Sequence, residues 1–396
     1  MTEVKRRPDE LAILGGDASF LTPLLVGRPA PFDRSRFFER LNWAMDNEWL
    51  TNGGPLSTEL ETRIADLVGA RYCIATANGT LALQVLSRAV GITGEVIVPS
   101  FTFVASAHAF QWLGVNPVFC DVCPGTGCID VAAAAAAITD QTSAIIGVHL
   151  WGQLCNVDEL ASLAYEHGLH LLFDGAHALG CTTADGLPVG TPWGKATILS
   201  FHATKVVHGF EGGAVVTNDS ELATRLRGLR NFGNGIIGGH MYGGTNAKMS
   251  EASAAACLTS LESFEETVIK NQHNHQQYLN ELRDLPGVRI LDYAADTNNN
   301  YNYVIMFVDE ATAGISRDLL VKVLLAEGVF TKTYFDPACH QMEPYSRRPW
   351  NLPVTERLGS QVVALPTGGK VNSEDIRRVC SIIRLAVLNG HKLTHV

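Results

Sequence analysis

The sequence predicts an α/β fold built on a mainly parallel sheet, followed by a smaller α/β unit. Three observations carry this reading. Between about residues 56 and 220, helical and strand-like segments alternate, as they do when helices cross over between strands. The strand-like runs are apolar throughout rather than alternating, as in parallel strands covered on both faces. A long helical pattern over 249–284 then leads into a second, shorter series of elements. The large unit is expected over 12–260 and the small C-terminal unit over 261–396, because 396 residues are too many for one ordinary core.

The elements follow in order. Leu56, Leu60, Ile64, Leu67 and Val68 share one helical face. YCIATA (72–77) reads as a strand, and NGT opens the helix LALQVLSRAV. EVIVPS (95–100) is a short strand and TFVASAHAFQWLG a helix. NPVFCDV, SAIIGVHLWG, LHLLFD and ATILSF continue as buried strands. Beyond the long helical pattern, YNYVIMFV, ISRDLLVKVLLAEG, VFTKTYF, QVVALPTG and SEDIRRVCSIIRLAVLNG make up the smaller unit. The Asn-rich DTNNNYN (296–302) reads as a turn between elements.

Composition narrows the class. Hydrophobic residues make up 46% and charged residues 18%, which is globular rather than disordered. A formal net charge of −10 argues against a generic nucleic-acid binder, which needs a basic face. The longest uncharged apolar run, VAAAAAAI (131–138), falls far short of the roughly 20 residues that cross a bilayer. The start MTEVKRRPDELAILGG has no apolar stretch of signal-peptide length, so a cytoplasmic location is expected. The nine cysteines are scattered and read as reduced thiols. Cys120, Cys123 and Cys128 approach a zinc spacing but lack a fourth ligand, so no metal is expected.

Two side chains carry the chemistry. Asp174 ends the apolar run LHLLF, which puts it at the carboxyl end of a buried strand, where open parallel sheets bind ligands. A capping or turn aspartate is the bland alternative. Lys205 follows another apolar strand, lies among Val206, Val207 and Phe210, and precedes the flexible pair Gly212-Gly213. Most lysines are solvated surface groups, but burial would lower this one's pKa and free its amine for attack. A lysine able to form a Schiff base and an aspartate able to keep a ring nitrogen protonated are what pyridoxal 5'-phosphate requires. Asn78-Gly79-Thr80 joins a strand to a helix start, a ready anion site, although an ordinary helix cap looks the same. Phe103 is placed to stack on a flat ring, or else is plain core.

The ordered set NGT…PSFTF…DGAHALG…SFHATK…EGG…GTNAKMSE resembles the fold-type-I pyridoxal-phosphate aminotransferases of nucleotide-linked keto sugars, the DegT/DnrJ/EryC1/StrS group. The resemblance runs from about residue 12 to the C-terminus. It implies that Lys205 bonds the cofactor, Asp174 pairs with its ring nitrogen, His177 lies by the ring hydroxyl and Phe103 covers the ring face. Gly79, Thr80 and Ser200 would hold the phosphate, and Asn246 would reach the phosphate of a neighbouring subunit, so a homodimer with shared sites is implied. Thr51 and Asn52 in WLTNGGP, and Tyr334 and His340 in TYFDPACH, match segments near the sugar.

Some relatives in this group carry histidine in place of the lysine and remove a sugar hydroxyl instead of adding an amine. Lys205 therefore points to transamination. L-Glutamate is the donor the resemblance implies. A dTDP-linked 4-keto-6-deoxyhexose aminated at C4 is the expected acceptor. A 3-keto sugar or a cyclic ketone is the rival acceptor, a sugar dehydratase the rival reaction, and an inert binding scaffold the rival class.

Overall fold

The computed structural model describes residues 4–234 and 243–393. A two-residue strand, β1 (Leu24–Leu25), precedes the principal sheet of β2 (Tyr72–Thr76), β3 (Glu95–Pro99), β4 (Asn116–Cys120), β5 (Thr142–Val148), β6 (His170–Asp174), β7 (Ala196–Ser200) and β8 (Gly213–Thr217). Their spatial order is β2-β8-β7-β6-β5-β3-β4. The pairs among β4, β3, β5, β6 and β7 are parallel. The apolar runs read as strands are these strands, and the mainly parallel sheet is present.

β8 is the departure. Gly212 and Gly213 read as a flexible pair, yet Gly213 opens a strand antiparallel to both β2 and β7. A Cβ on Gly213 would lie 2.5 Å from the carbonyl carbon of Asn78. The glycine thus lets β8 pass against the start of the helix Gly79–Val90, and no flexibility is involved.

The helical pattern over 249–284 is two helices, Glu251–Glu262 and Phe264–Leu282. Ser263 breaks them, with its N–H turned to the carbonyl of Ser260, three residues back. The first helix begins against an earlier one. Buried Glu251 accepts hydrogen bonds from the N–H groups of Leu56 and Ser57, which caps the helix Pro55–Val68.

A second sheet contains β9 (Val288–Ile290), β10 (Val304–Val308) and β12 (Val362–Leu365) in the antiparallel order β12-β10-β9. Met306, Leu324, Val363 and Ile383 lie in its core. Leu11 and Phe20 join that core, and β1 pairs with β11 (Val329–Phe330). The segment read from residue 12 as the opening of the large unit therefore packs against the small one.

The Asn-rich segment is a clamp between the two sheets. Asn300 Nδ2 donates to the carbonyls of His177 and Leu179, and Asn302 Nδ2 donates to the carbonyl of Thr204. Asn298 and Thr182 exchange two further bonds. These bonds tie the segment leading into β10 to the segments holding His177 and Lys205. No helix among the described residues is long and apolar enough to cross a membrane.

Candidate active site

The carboxyl ends of β2, β3, β5, β6 and β7 open into one cavity of about 620 Å³. Asp174, the last residue of β6, is almost fully buried there. Its Oδ2 accepts from Ser106 Oγ at 2.7 Å and its Oδ1 from the Ala176 N–H at 3.0 Å. Burial pushes its pKa up, while those two bonds and the charge of Lys205 pull it back. The carboxylate is thus costly to hold ionised yet supported on both oxygens.

Lys205 sits in the turn after β7, its N–H bonded to the carbonyl of His202. Its Nζ lies 3.1 Å from the hydroxyl of Tyr303. The side chain keeps some surface open to the cavity. Withdrawal of the amine from water lowers its pKa to about 8, opposed by the charge of Asp174. Near neutrality a usable fraction is the free base.

The helix Gly79–Val90 aims its start at the same cavity. Asn78 Oδ1 caps the N–H of Leu81 at 2.9 Å. A Cβ on Gly79 would press to 3.3 Å from Ser200 Cβ, so the helix start and the end of β7 touch there. The first N–H groups of a helix and its dipole favour an anion. A phosphate fits this corner.

The histidines complete the walls. His177 Nδ1 accepts from the Trp151 N–H at 3.1 Å, which leaves Nε2 as the protonated donor. Burial and the Lys205 charge hold its pKa well below the usual histidine range. His149 stacks on Phe173 and accepts from the Cys155 N–H through Nδ1. Its buried Nε2 has no partner among the described residues, although the ring lines the cavity. Burial lowers its pKa to about 3, so it too is a neutral donor. A flat aromatic cofactor with a phosphate, an aldehyde and a ring nitrogen fits this set of groups.

The cavity brings together Gly79, Thr80, Phe103, Asp174, His177, Ser200, Lys205 and Tyr334 of the residues singled out in the sequence. Phe103 is 57% exposed and lines the cavity rather than packing in the core. Thr51, Asn52 and Asn246 are not in that lining. All three are exposed, and Asn52 (φ 65°) borders a separate hollow with Arg227, Arg230 and Lys248. His340, expected near the sugar, lies outside the lining as well. It is buried, with Nδ1 2.7 Å from Ser100 Oγ and Nε2 3.4 Å from Glu356 Oε1.

Ser106, His149 and Tyr303 line the cavity without having been singled out. Ser106 is visible in hindsight as the polar residue one helical turn beyond Phe103. His149 stands directly after an apolar strand, as Asp174 ends one. Tyr303 gives no such signal, because the chain brings it in from the other sheet.

Residues 31–384 match the DegT/DnrJ/EryC1/StrS aminotransferase family. The dTDP-4-amino-4,6-dideoxy-D-glucose transaminase of Shigella dysenteriae is 32% identical over 365 residues, 91% of this chain and 98% of that one. The UDP-2-acetamido-2-deoxy-3-oxo-D-glucuronate aminotransferase of Pseudomonas aeruginosa is 32% identical over 333 residues, 83% of this chain and 90% of that one. The crystal structure of DesI, studied in the presence of its TDP-sugar product, superposes with a TM-score of 0.95 at 54% identity, covering 98% of both chains. The chain thus belongs to the DegT/DnrJ/EryC1/StrS aminotransferase family and is a pyridoxal-phosphate-dependent transaminase.

Proposed function

We propose that this transaminase moves the amino group of L-glutamate to C4 of dTDP-4-keto-6-deoxyglucose, giving dTDP-4-amino-4,6-dideoxyglucose. The observation that carries the reading is the 54% identity, over nearly the whole chain, to a transaminase-fold protein with a TDP-sugar product. The Shigella dysenteriae relative, named for a sugar of the same kind, supports it.

Pyridoxal phosphate, when bound, supplies an aldehyde that bonds amines and a ring that draws electrons from the adjoining carbon. Asp174 would keep a proton on the ring nitrogen, and its bonds from Ser106 and Ala176 favour the ionised carboxylate this needs. Gly79 and Thr80, at the positive end of their helix, and Ser200, at the end of β7, would hold the phosphate. His177 Nε2–H would donate to the ring hydroxyl, and Phe103 would cover one face of the ring. Lys205, freed as an amine, would take a proton from the donor carbon and return one in the second half-reaction. A pKa of about 8 suits both directions near neutral pH. Tyr334 would meet the sugar from the cavity wall.

A homodimer with shared sites is part of the reading. Among the described residues, Lys205 is the one Lys or Arg in the cavity lining, whereas a phosphate and a sugar diphosphate bring several negative charges. Arg227, Arg230 and Lys248 cluster in the separate hollow beside Asn52, and exposed Asn246 is bridged to Asn231 in the same hollow. Arg230 is paired with Glu61 within its own subunit, so a second copy presenting Arg227 and Lys248, with Thr51 and Asn52, would bring the required positive charge. We assign the reaction to the cytoplasm, where nucleotide sugars are made; the nine free cysteines suit a reducing compartment.

The test is incubation with glutamate and dTDP-4-keto-6-deoxyglucose, followed by NMR of the product. Nitrogen on C4 is expected. Nitrogen on C3, the position suggested by the Pseudomonas aeruginosa relative's name, or loss of water without nitrogen, would replace this reading. Lys205→Ala should lose at least about 10²-fold in rate. Near-wild-type transamination by that variant would end the proposal.

A further inference from the structure

Tyr303 immediately precedes β10 of the smaller sheet, yet its hydroxyl stands 3.1 Å from Lys205 Nζ. Its own environment is built. The side chain is 8% exposed, and its ring centroid lies 4.6 Å from that of His177. The next residue back, Asn302, bonds the carbonyl of Thr204, the neighbour of Lys205. Backbone and side chain therefore fix this phenol against the lysine from two adjacent positions. Lys205 Nζ donates to the Tyr303 hydroxyl, and the Asn302 side chain is a second hydrogen-bond partner of the same phenol.

We propose that Tyr303 is a positioning residue of the transamination: its hydroxyl holds and directs the Lys205 amine whenever that amine is not bonded to the cofactor. The inference rests on Lys205 acting as the proton carrier, the role given to it above. The phenol gains and loses no proton. Its oxygen accepts one N–H of the amine, which leaves the remaining valences of nitrogen aimed into the cavity. Burial holds its own pKa well above the usual tyrosine value, so it remains a neutral phenol wherever Lys205 titrates. A free lysine side chain would otherwise sample many rotamers, at an entropy cost on each return to the reacting carbon.

The test is Tyr303→Phe, which keeps the ring beside His177 and removes only the hydroxyl. In the cofactor-free protein, the reactivity of Lys205 toward acetic anhydride is followed against pH by peptide mass spectrometry. The charged and titratable groups facing that amine are Asp174, His177 and Tyr303, with His149, His202, Glu211 and Tyr334 elsewhere in the cavity lining. The phenol oxygen stabilises the ammonium form, so its loss should lower the Lys205 midpoint by at least about half a pH unit. In the holoenzyme, kcat for the donor half-reaction should fall about 10–100-fold, the worth of one hydrogen bond to a charged group, with KM within about two-fold. An unmoved midpoint, or a kcat near that of wild type, overturns the assignment. If glutamate or the dTDP sugar is the wrong substrate, the wild-type enzyme itself is inactive while the midpoint still moves, so the two failures are distinguishable.

Discussion

Ser106 donates its hydroxyl hydrogen to Asp174 Oδ2 at 2.7 Å, joining the helix Ala105–Gln111 to the end of β6. Thr102 Oγ1 lies 3.2 Å from the same serine oxygen. The carboxylate that the chemistry needs ionised is therefore supported from the segment that also carries Phe103.

Removing this bond should show a pH signature. The Ser106 bond lowers the Asp174 pKa against the upward push of burial, so Ser106→Ala leaves more of the carboxyl protonated near neutrality. A neutral carboxyl cannot hold the ring-nitrogen proton. The expected loss in transamination rate is about 10–100-fold at pH 7, shrinking as the pH is raised and Asp174 ionises again. A loss equal at every pH would mean that Ser106 only packs.

Lys205 should weaken the protein that depends on it. Its folded pKa of about 8 lies below the ordinary 10.5, so the unfolded chain holds the proton more tightly. Stability therefore rises with pH between those values, and the burial cost is fully felt below about 8. Lys205→Met, close in volume, should stabilise the cofactor-free protein by about 1–3 kcal/mol at pH 7. The gain should fade above pH 10. Urea unfolding at the two pH values measures it, and equal gains at both would refute the burial cost.

How far the sequence exposed this site depends on how each residue reaches it. Asp174 and Lys205 were legible because each follows an apolar strand, and such ends converge on one edge of a parallel sheet. β8 was not, because its opening glycines read as slack, whereas Gly213 is required by close approach to Asn78. Tyr303 arrives from a second sheet through the Asn-rich clamp, a relation that no local pattern encodes. His340 was expected near the sugar from the resemblance of TYFDPACH to a family segment, and the fold places it outside the cavity lining. Only the fold reveals that Ser100, at the end of β3, takes its ring nitrogen.

His149 should make the protein acid-sensitive. Its folded pKa of about 3 lies below the ordinary 6.5, so the stability it contributes is complete above about pH 6.5 and is lost as pH falls toward 3. The loss is at most about 5 kcal/mol. His149→Phe orphans the Cys155 N–H and costs about 1–3 kcal/mol at pH 7. Its stability should nevertheless fall less steeply between pH 7 and pH 4 than that of wild type in urea unfolding. Parallel slopes would remove His149 as the acid-sensitive group.

Gly213 should couple sheet packing to cofactor binding. A Cβ there would meet the Asn78 carbonyl carbon at 2.5 Å, the Gly79 nitrogen at 2.6 Å and the Asn78 oxygen at 2.7 Å. All three are backbone atoms, so the helix start must move rather than a side chain swing aside. Gly213→Ala should cost about 1–3 kcal/mol of stability, the usual penalty of overpacking. Because the displaced atoms belong to the proposed phosphate corner, binding of pyridoxal phosphate should weaken in the same variant, measured by titrating the cofactor-free protein and following absorbance. Gly125→Ala is the control, since a Cβ there meets nothing within 4 Å. If Gly213→Ala unfolds more easily but binds the cofactor as wild type does, the helix start is not what holds the phosphate.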